Sequence, residues 1–204
     1  MPEDPRHRNE TFDRSSIGAY LTSYADRLRE ALDTVDTNAL QQALEIVEAA
    51  AIDGRHIYTL GNGGSAAIAD HLCCDWTKGT HHENHPSLKT HSMTANGALY
   101  SAIANDFGFE QVFSTQVEFF GEAGDVLLAI SSSGNSPNVL AAVTAAHTRK
   151  MKTIGFSGFT GGRLNTEAQV SLYVAANNYG IVEDAHQTLM HVIAQYIASK
   201  RDQR

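Results

Sequence analysis

From Gly54 onward the chain alternates short β-type runs with stretches of helical periodicity, and this alternation restricts the fold more than any other feature. The runs are residues 56–60, 126–130, 152–156 and 170–174, each dominated by Ile, Val, Leu, Thr, Phe or Tyr. Strands separated by a helix cannot close as hairpins; they need crossovers, which set the strands parallel and the helices against both faces. Residues 86–93 supply a weaker fifth strand, and residues 96–121 read as one or two helices broken near Asp106 and Gly108. The expected fold is therefore α/β, a three-layer α/β/α sandwich on a five-stranded parallel sheet. Two helices precede it. Ile17, Tyr20, Leu21, Tyr24, Leu28 and Leu32 recur at helical spacing, as do Leu40, Ala43, Leu44, Ile46, Val47 and Ala50. The last helix is expected over residues 181–199, with Val182, Ala185, Leu189, Val192, Ile193, Tyr196 and Ile197 on its apolar side. Residues 1–14, with Pro2, Pro5 and many charges, are read as a flexible tail, leaving 15–204 as one domain.

Composition narrows the partners. The formal net charge is −8, and 42% of the 204 residues are hydrophobic, enough for a real core. An acidic chain lacks the clustered Lys and Arg that broad binding to nucleic acid or an anionic membrane requires. Any anionic ligand must then be held locally. No stretch approaches the roughly 20 apolar residues of a membrane span, and the N-terminus has no apolar leader core. Cys73 and Cys74 are adjacent, a spacing that disfavours a disulfide between them, and are read as small buried residues. The expectation is a cytoplasmic protein with neither nucleic acid nor membrane as partner.

Two loops follow predicted strands and precede predicted helices: residues 61–65, Gly-Asn-Gly-Gly-Ser, and residues 131–137, Ser-Ser-Ser-Gly-Asn-Ser-Pro. In an open parallel sheet ligands bind beyond the carboxyl ends of the strands, so both loops stand on the ligand edge. Free N–H groups at a helix start, beside serine hydroxyls, suit a phosphate. Gly and Ser also serve any βα turn, and Ser136 before Pro137 has the form of an ordinary N-cap. The second loop carries Ser131, Ser132, Ser133 and Ser136, more hydroxyls than a turn needs. Neither loop has the third glycine of a dinucleotide fingerprint, whose place Ala66 takes in the first, nor a Walker lysine, so no nucleotide cofactor is expected.

The titratable residues fall on two helical stripes. His71 and Asp75 stand four apart, as do Glu183, Gln187 and His191. If the stripes face one another, His71, Asp75, Glu183 and His191 form an imidazole and carboxylate cluster able to hold a divalent metal such as zinc, or to supply an acid and a base. If they do not, each is a surface pair. His81, His82 and His85 beside Glu83 read as solvated loop, and His186 as an interface residue or one behind the site.

Taken together, the loop 61–65, the run Asn105-Asp106-Phe107-Gly108-Phe109, the segment Gly124-Asp125-Val126-Leu127-Leu128, the loop 131–136 and the stretch 183–191 resemble the sugar isomerase (SIS) domain. The branch it is most similar to is that of the phosphoheptose isomerases, which convert sedoheptulose 7-phosphate to D-glycero-D-manno-heptose 7-phosphate. The resemblance covers residues 15–200. It implies a flavodoxin-like sandwich and a homotetramer with active sites between subunits. By motif, Ser131, Ser132, Ser133 and Ser136 would hold the phosphate, and Asn62, Gly63 and Ser65 would serve the sugar site. Asp106 matches a polar position near the substrate. His191 falls on the catalytic histidine and His71 on a metal-binding histidine. Asp75 stands where the family has a catalytic glutamate, one methylene longer, and Glu183 where it has a metal-binding glutamine.

The function expected is interconversion of a ketose and an aldose phosphate through a cis-enediol. Asp75 takes the proton beside the carbonyl and His191 acts on the oxygens. A zinc ion on His71, Asp75, Glu183 and His191 would polarise the carbonyl or organise the site. The alternative is a non-catalytic sugar-phosphate sensor or protein-binding regulator, since a DnaA-binding relative in the same family has the fold without the isomerase activity.

Overall fold

The computed structural model describes residues 10–202. Two helices lead in, α1 (Ile17–Leu32) and α2 (Thr37–Ile52). Ser16 caps the first by accepting from the Ala19 N–H, and Asp36 caps the second by accepting from the Asn38 N–H. Then follow β1 (His56–Gly61), α3 (Gly64–Cys74), a π-helical turn (Asp75–Gly79), β2 (Lys89–Ser92), α4 (Gly97–Phe107), a 3₁₀ turn (Phe109–Gln111) and α5 (Ser114–Phe120). The chain continues through β3 (Val126–Ser131), α6 (Pro137–Thr148), β4 (Lys152–Ser157), α7 (Leu164–Glu167), β5 (Val170–Tyr173) and α8 (Tyr179–Asp202).

All five strands pair in parallel, in the order β2-β1-β3-β4-β5. This is the flavodoxin-like order. The central strand β3 is buried at every residue. Its side chains alternate between two cores: Val126, Leu128 and Ile130 join the core beneath α2, α3 and α8, while Leu127 and Ala129 join the one beneath α5 and α6. Two cores on one sheet make the three-layer sandwich. β2 is an edge strand and is shorter than the run of residues 86–93 expected for it. Lys89, Thr90, His91 and Ser92 contain no large aliphatic residue, and the burial that anchors the edge comes from Leu88 and Met93 just outside it.

Part of the N-terminal segment expected as a tail packs on the fold. Residues 1–9 lie outside the described residues, but residues 10–13 are docked. Glu10 accepts from the Arg27 guanidinium at 2.8 Å and from the Asn177 N–H at 2.9 Å. Phe12 packs on the rings of Tyr20 and Tyr24, and the Asp13 N–H donates to the Ser23 hydroxyl. The aromatic ring supplies the apolar contact that the flanking charges concealed.

In this strand order the chain leaves β1 for β2 and then crosses back to β3, so a crevice opens beyond the carboxyl ends of β1 and β3. The loops 61–65 and 131–136 are the walls of that crevice. Among the described residues no helix is long and apolar enough to cross a membrane.

Candidate active site

The helices α3 and α8 lie side by side, and their polar stripes run in register. Glu183 lies against Gly64 at the start of α3. One turn along α8, the Gln187 amide nitrogen is 2.8 Å from His71 Nδ1. A further turn along, His191 Nε2 is 3.2 Å from Asp75 Oδ2. Asp75 Oδ1 also stands 3.5 Å from His71 Nε2, and the two imidazoles meet edge to face with centroids 5.1 Å apart. His71, Asp75 and His191 therefore converge, with one ligand atom from each within 4.8 Å of the others.

What positions Asp75 is the π-helical turn that α3 runs into, a feature the periodicity did not reveal. A π-turn widens the helix and is common beside functional groups. Here Trp76, fully buried, donates its indole N–H to the Met190 carbonyl at 3.0 Å. That bond ties the residue after Asp75 to the residue before His191. The buried Arg201 guanidinium donates to the Thr80 and Pro86 carbonyls and holds the end of the turn.

The donors at the cluster compete. His191 Nε2 faces both the Asp75 carboxylate and, at 3.3 Å, the Gln187 amide nitrogen. One nitrogen either carries a proton toward the acid or offers a lone pair to the amide, not both. Two imidazoles and one carboxylate with a side left open match the donor set of catalytic zinc sites. The residues present fit a divalent cation.

In this structure the fourth residue of the expected ligand set, Glu183, lies outside this group. Its carboxylate lies over Gly64, where any Cβ would collide with it. Gly63, the N-cap of α3, offers no side-chain cap, so a carboxylate takes the position that the positive end of the helix favours. That is just over two turns, or roughly 12 Å of helix rise, from His191. Half-burial, with Asp184 beside it, raises the Glu183 pKa.

The two loops are joined to one another. Asn62 and Asn138 exchange a pair of amide hydrogen bonds, both 2.9 Å, across the crevice. Asn138, nearly fully buried, was not singled out in the sequence. Gly63 adopts φ +56°, and Ser65 is buried with its N–H on the Asn62 carbonyl at 3.0 Å. In the serine loop the Ser131 and Ser136 hydroxyls are 3.1 Å apart. Ser136 makes no side-chain cap to α6, so its hydroxyl is turned toward the loop and not the helix. Ser133 Oγ accepts from the Asn135 N–H. The buried Ser132 hydroxyl has no hydrogen-bond partner among the described residues.

A segment that sequence reasoning passed over holds this loop. Residues 158–164 return across it, with the Gly158 N–H on the Ser132 carbonyl at 2.8 Å and the Leu164 N–H on the Gly134 carbonyl at 2.9 Å. The Arg163 N–H donates to the Asn135 side chain at 3.0 Å. Gly134 has φ +66°, and a Cβ there would run into the Gly161 carbonyl. The Gly158-Phe159-Thr160-Gly161-Gly162 composition was the available signal.

The remaining candidates are scattered. Asp106, at the exposed end of α4, accepts from the adjacent Asn105 amide at 2.8 Å. Among the described residues the three-histidine loop forms no metal-type group; His82 and His85 pack edge to face at 5.0 Å. Both cysteines are free, and Cys74 is exposed where a buried residue was expected, because the side of α3 it occupies faces away from the core.

The sequence profile of the SIS domain family matches residues 19–158. The chain belongs to the SIS domain family. It is 38% identical over 176 residues to a phosphoheptose isomerase of Nitratidesulfovibrio vulgaris, spanning 86% of this chain and 78% of that one. To the phosphoheptose isomerase of Desulfovibrio desulfuricans it is 39% identical, over 83% of this chain and 80% of that one. The solved phosphoheptose isomerase of Neisseria gonorrhoeae superposes with a TM-score of 0.81 at 34% identity, covering 90% of this chain and 97% of that one. Within the SIS family the chain therefore sits in the phosphoheptose isomerase branch.

Proposed function

We propose that this SIS protein is an aldose–ketose isomerase of a phosphorylated sugar, with sedoheptulose 7-phosphate and D-glycero-D-manno-heptose 7-phosphate as its pair. The observation that carries the reading is the convergence of His71, Asp75 and His191 from two helices. A carboxylate between two imidazoles is a proton-transfer set. Asp75 has four lone-pair sites and spends two on the histidines, so it can be held by them and still accept a proton.

In this reading the serine loop receives the phosphate through Ser131, Ser132, Ser133 and Ser136, and Asn62, Gly63, Ser65 and Asp106 serve the sugar. Asp75 takes the proton from the carbon beside the ketose carbonyl, leaving an enediolate. His191 moves the hydroxyl proton between the two oxygens. Asp75 returns its proton to the neighbouring carbon, and the aldose forms with no net change in the enzyme. His71, Asp75 and His191 would hold a zinc ion, which when bound supplies Lewis-acid polarisation of the sugar oxygens. A homotetramer is supported by large apolar side chains left in solvent, Ile17 and Leu21 on α1 and Phe107, Phe109, Phe119 and Phe120 at α4 and α5. The two free thiols suit a reducing compartment, the cytoplasm.

The test is incubation of zinc-loaded and chelated protein with sedoheptulose 7-phosphate in deuterated water, following aldose formation and deuterium uptake by NMR. Product with deuterium beside the carbonyl, lost in His191→Ala, is the expected result. Tight binding with neither product nor exchange would replace the isomerase with a sugar-phosphate sensor.

A further inference from the structure

His186 stands five residues before His191 on α8, on the side that faces the sheet, and is fully buried. It belongs neither to an interface nor to the cluster around Asp75. Its ring packs on Phe156 with centroids 5.6 Å apart, and its Nε2 lies 3.2 Å from the Ser157 carbonyl oxygen. A carbonyl only accepts, so Nε2 carries the proton and the ring is the neutral Nε2–H tautomer. Its Nδ1 has no hydrogen-bond partner among the described residues. Burying a lone pair this way opposes folding, and an apolar side chain of similar size would fill the space without that penalty. The single bond that His186 makes is what the imidazole adds.

That bond falls on a peptide unit that faces two ways. The Ser157 carbonyl accepts from the Val174 N–H at 2.9 Å as well as from His186, so both of its lone pairs are taken. The N–H of the same planar unit belongs to Gly158 and donates to the Ser132 carbonyl. Because the peptide is rigid, holding its carbonyl toward α8 and β5 aims its N–H at the serine loop. Ser131 and Ser157 are already partners in the β3–β4 ladder. The Gly158 bond carries that ladder one residue further, into the loop itself, and next to it stands the unpartnered Ser132 hydroxyl.

We propose that His186 is a positioning residue for the phosphate loop: its Nε2–H locks the Ser157–Gly158 peptide, which in turn sets the Ser132 carbonyl and the loop around it. This rests on the reading of residues 131–136 as the phosphate site. The bond reaches the ligand through the backbone alone, so its loss acts on binding of the phosphoryl group and leaves the proton-transfer set on the opposite stripe of α8 intact.

The experiment compares His186→Met, which fills the volume without a donor, with His186→Gln, which restores an N–H at the distal end. Both are made in the full-length zinc-loaded protein, with inorganic phosphate as the binding probe. His186→Met is expected to raise the Kd for phosphate and the KM for the sugar phosphate together by about tenfold, with kcat within about twofold of wild type. His186→Gln is expected to recover most of both. A purely structural histidine would lower Tm and leave the KM of the folded fraction unchanged, and that result overturns the proposal. Should His186→Met fail to fold, the ring nitrogens of the wild-type protein are read by ¹⁵N NMR during a phosphate titration. A shift in the Nε2–H signal supports the coupling, and no shift at saturation refutes it. A Ser132→Ala, Ser136→Ala double variant separates the two levels. If it binds phosphate as wild type does, the loop assignment fails and the proposal falls with it. If it loses phosphate while His186→Met keeps it, only the positioning role is wrong.

Discussion

The serine loop and the histidine–carboxylate cluster stand on the same sandwich but are held by different means. Main-chain bonds from residues 158 and 164 grip the loop at the Ser132 and Gly134 carbonyls. The contacts within the cluster are between side chains, with Asp75 beside His71 and His191 and Gln187 reaching both imidazoles, in partly exposed positions. A loop gripped through its backbone keeps its shape when one side chain is lost, although the hydroxyls it presents still decide what it binds. A side-chain-built site has chemistry that one substitution removes while the fold persists. In the proposed isomerase the two regions are therefore expected to be separable, one governing ligand affinity and the other turnover.

The sharpest break between them is His191→Ala. It should lower kcat by on the order of 10²–10⁴-fold, the range for losing a positioned acid–base group. Affinity for inorganic phosphate, read by calorimetry, should stay unchanged. A matching loss of affinity would show that cluster and loop are one unit. Gly134→Ala should do the reverse. With φ +66° and the Gly161 carbonyl in the way, the loop must move away from residues 161–162. The expected outcome is at least about tenfold weaker phosphate binding and a loss of roughly 1–3 kcal/mol in urea unfolding.

A pH series tests the buried element that links the loop to α8. Burial lowers the His186 pKa to about 4, below its ordinary value, so between pH 6.5 and 4 the unfolded chain binds a proton that the native one does not. Stability is then fully present above pH 6.5 and falls with acidification, by about 2 kcal/mol at pH 5. His186→Gln should flatten that slope in unfolding curves, and an unchanged slope would assign the acid sensitivity elsewhere. The smallest effect is expected at the bridge between the two loops. Asn62→Ala leaves the Asn138 amide without its reciprocal partner and should cost about 1 kcal/mol, because water can replace part of what is lost. A larger loss, accompanied by weaker phosphate binding, would show that the glycine loop helps to shape the serine loop.

Much of this was legible before any coordinates. The strands 56–60, 126–130 and 152–156 announced themselves because buried parallel strands need continuous apolar runs, and β1, β3 and β4 occupy them. β2 was faint because an edge strand of Lys, Thr, His and Ser is held by the residues that flank it. The i, i+4 spacing of His71 with Asp75 and of Gln187 with His191 placed each pair on one face. The π-turn at Asp75–Gly79 left no trace, since it arises where Trp76 reaches Met190 across a separation of 114 residues. Glu183 shows the limit of spacing most plainly. It belongs to the same stripe as His191, yet it faces the uncapped start of α3 and not the metal-type group.

What the sequence determined by itself is everything that repeats locally: the alternation of strand and helix, the hydroxyl-rich loop at a strand end, and the two polar stripes. These follow from side-chain periodicity and turn chemistry, which are set by neighbours a few residues away. The tertiary structure decided which stripes meet, and in what register. It also decided which of two histidines on α8 is buried against the Ser157 carbonyl and which stands beside Asp75. Those outcomes depend on the packing of a helix against a sheet and against another helix, contacts between residues from 29 to more than a hundred positions apart that no local pattern encodes.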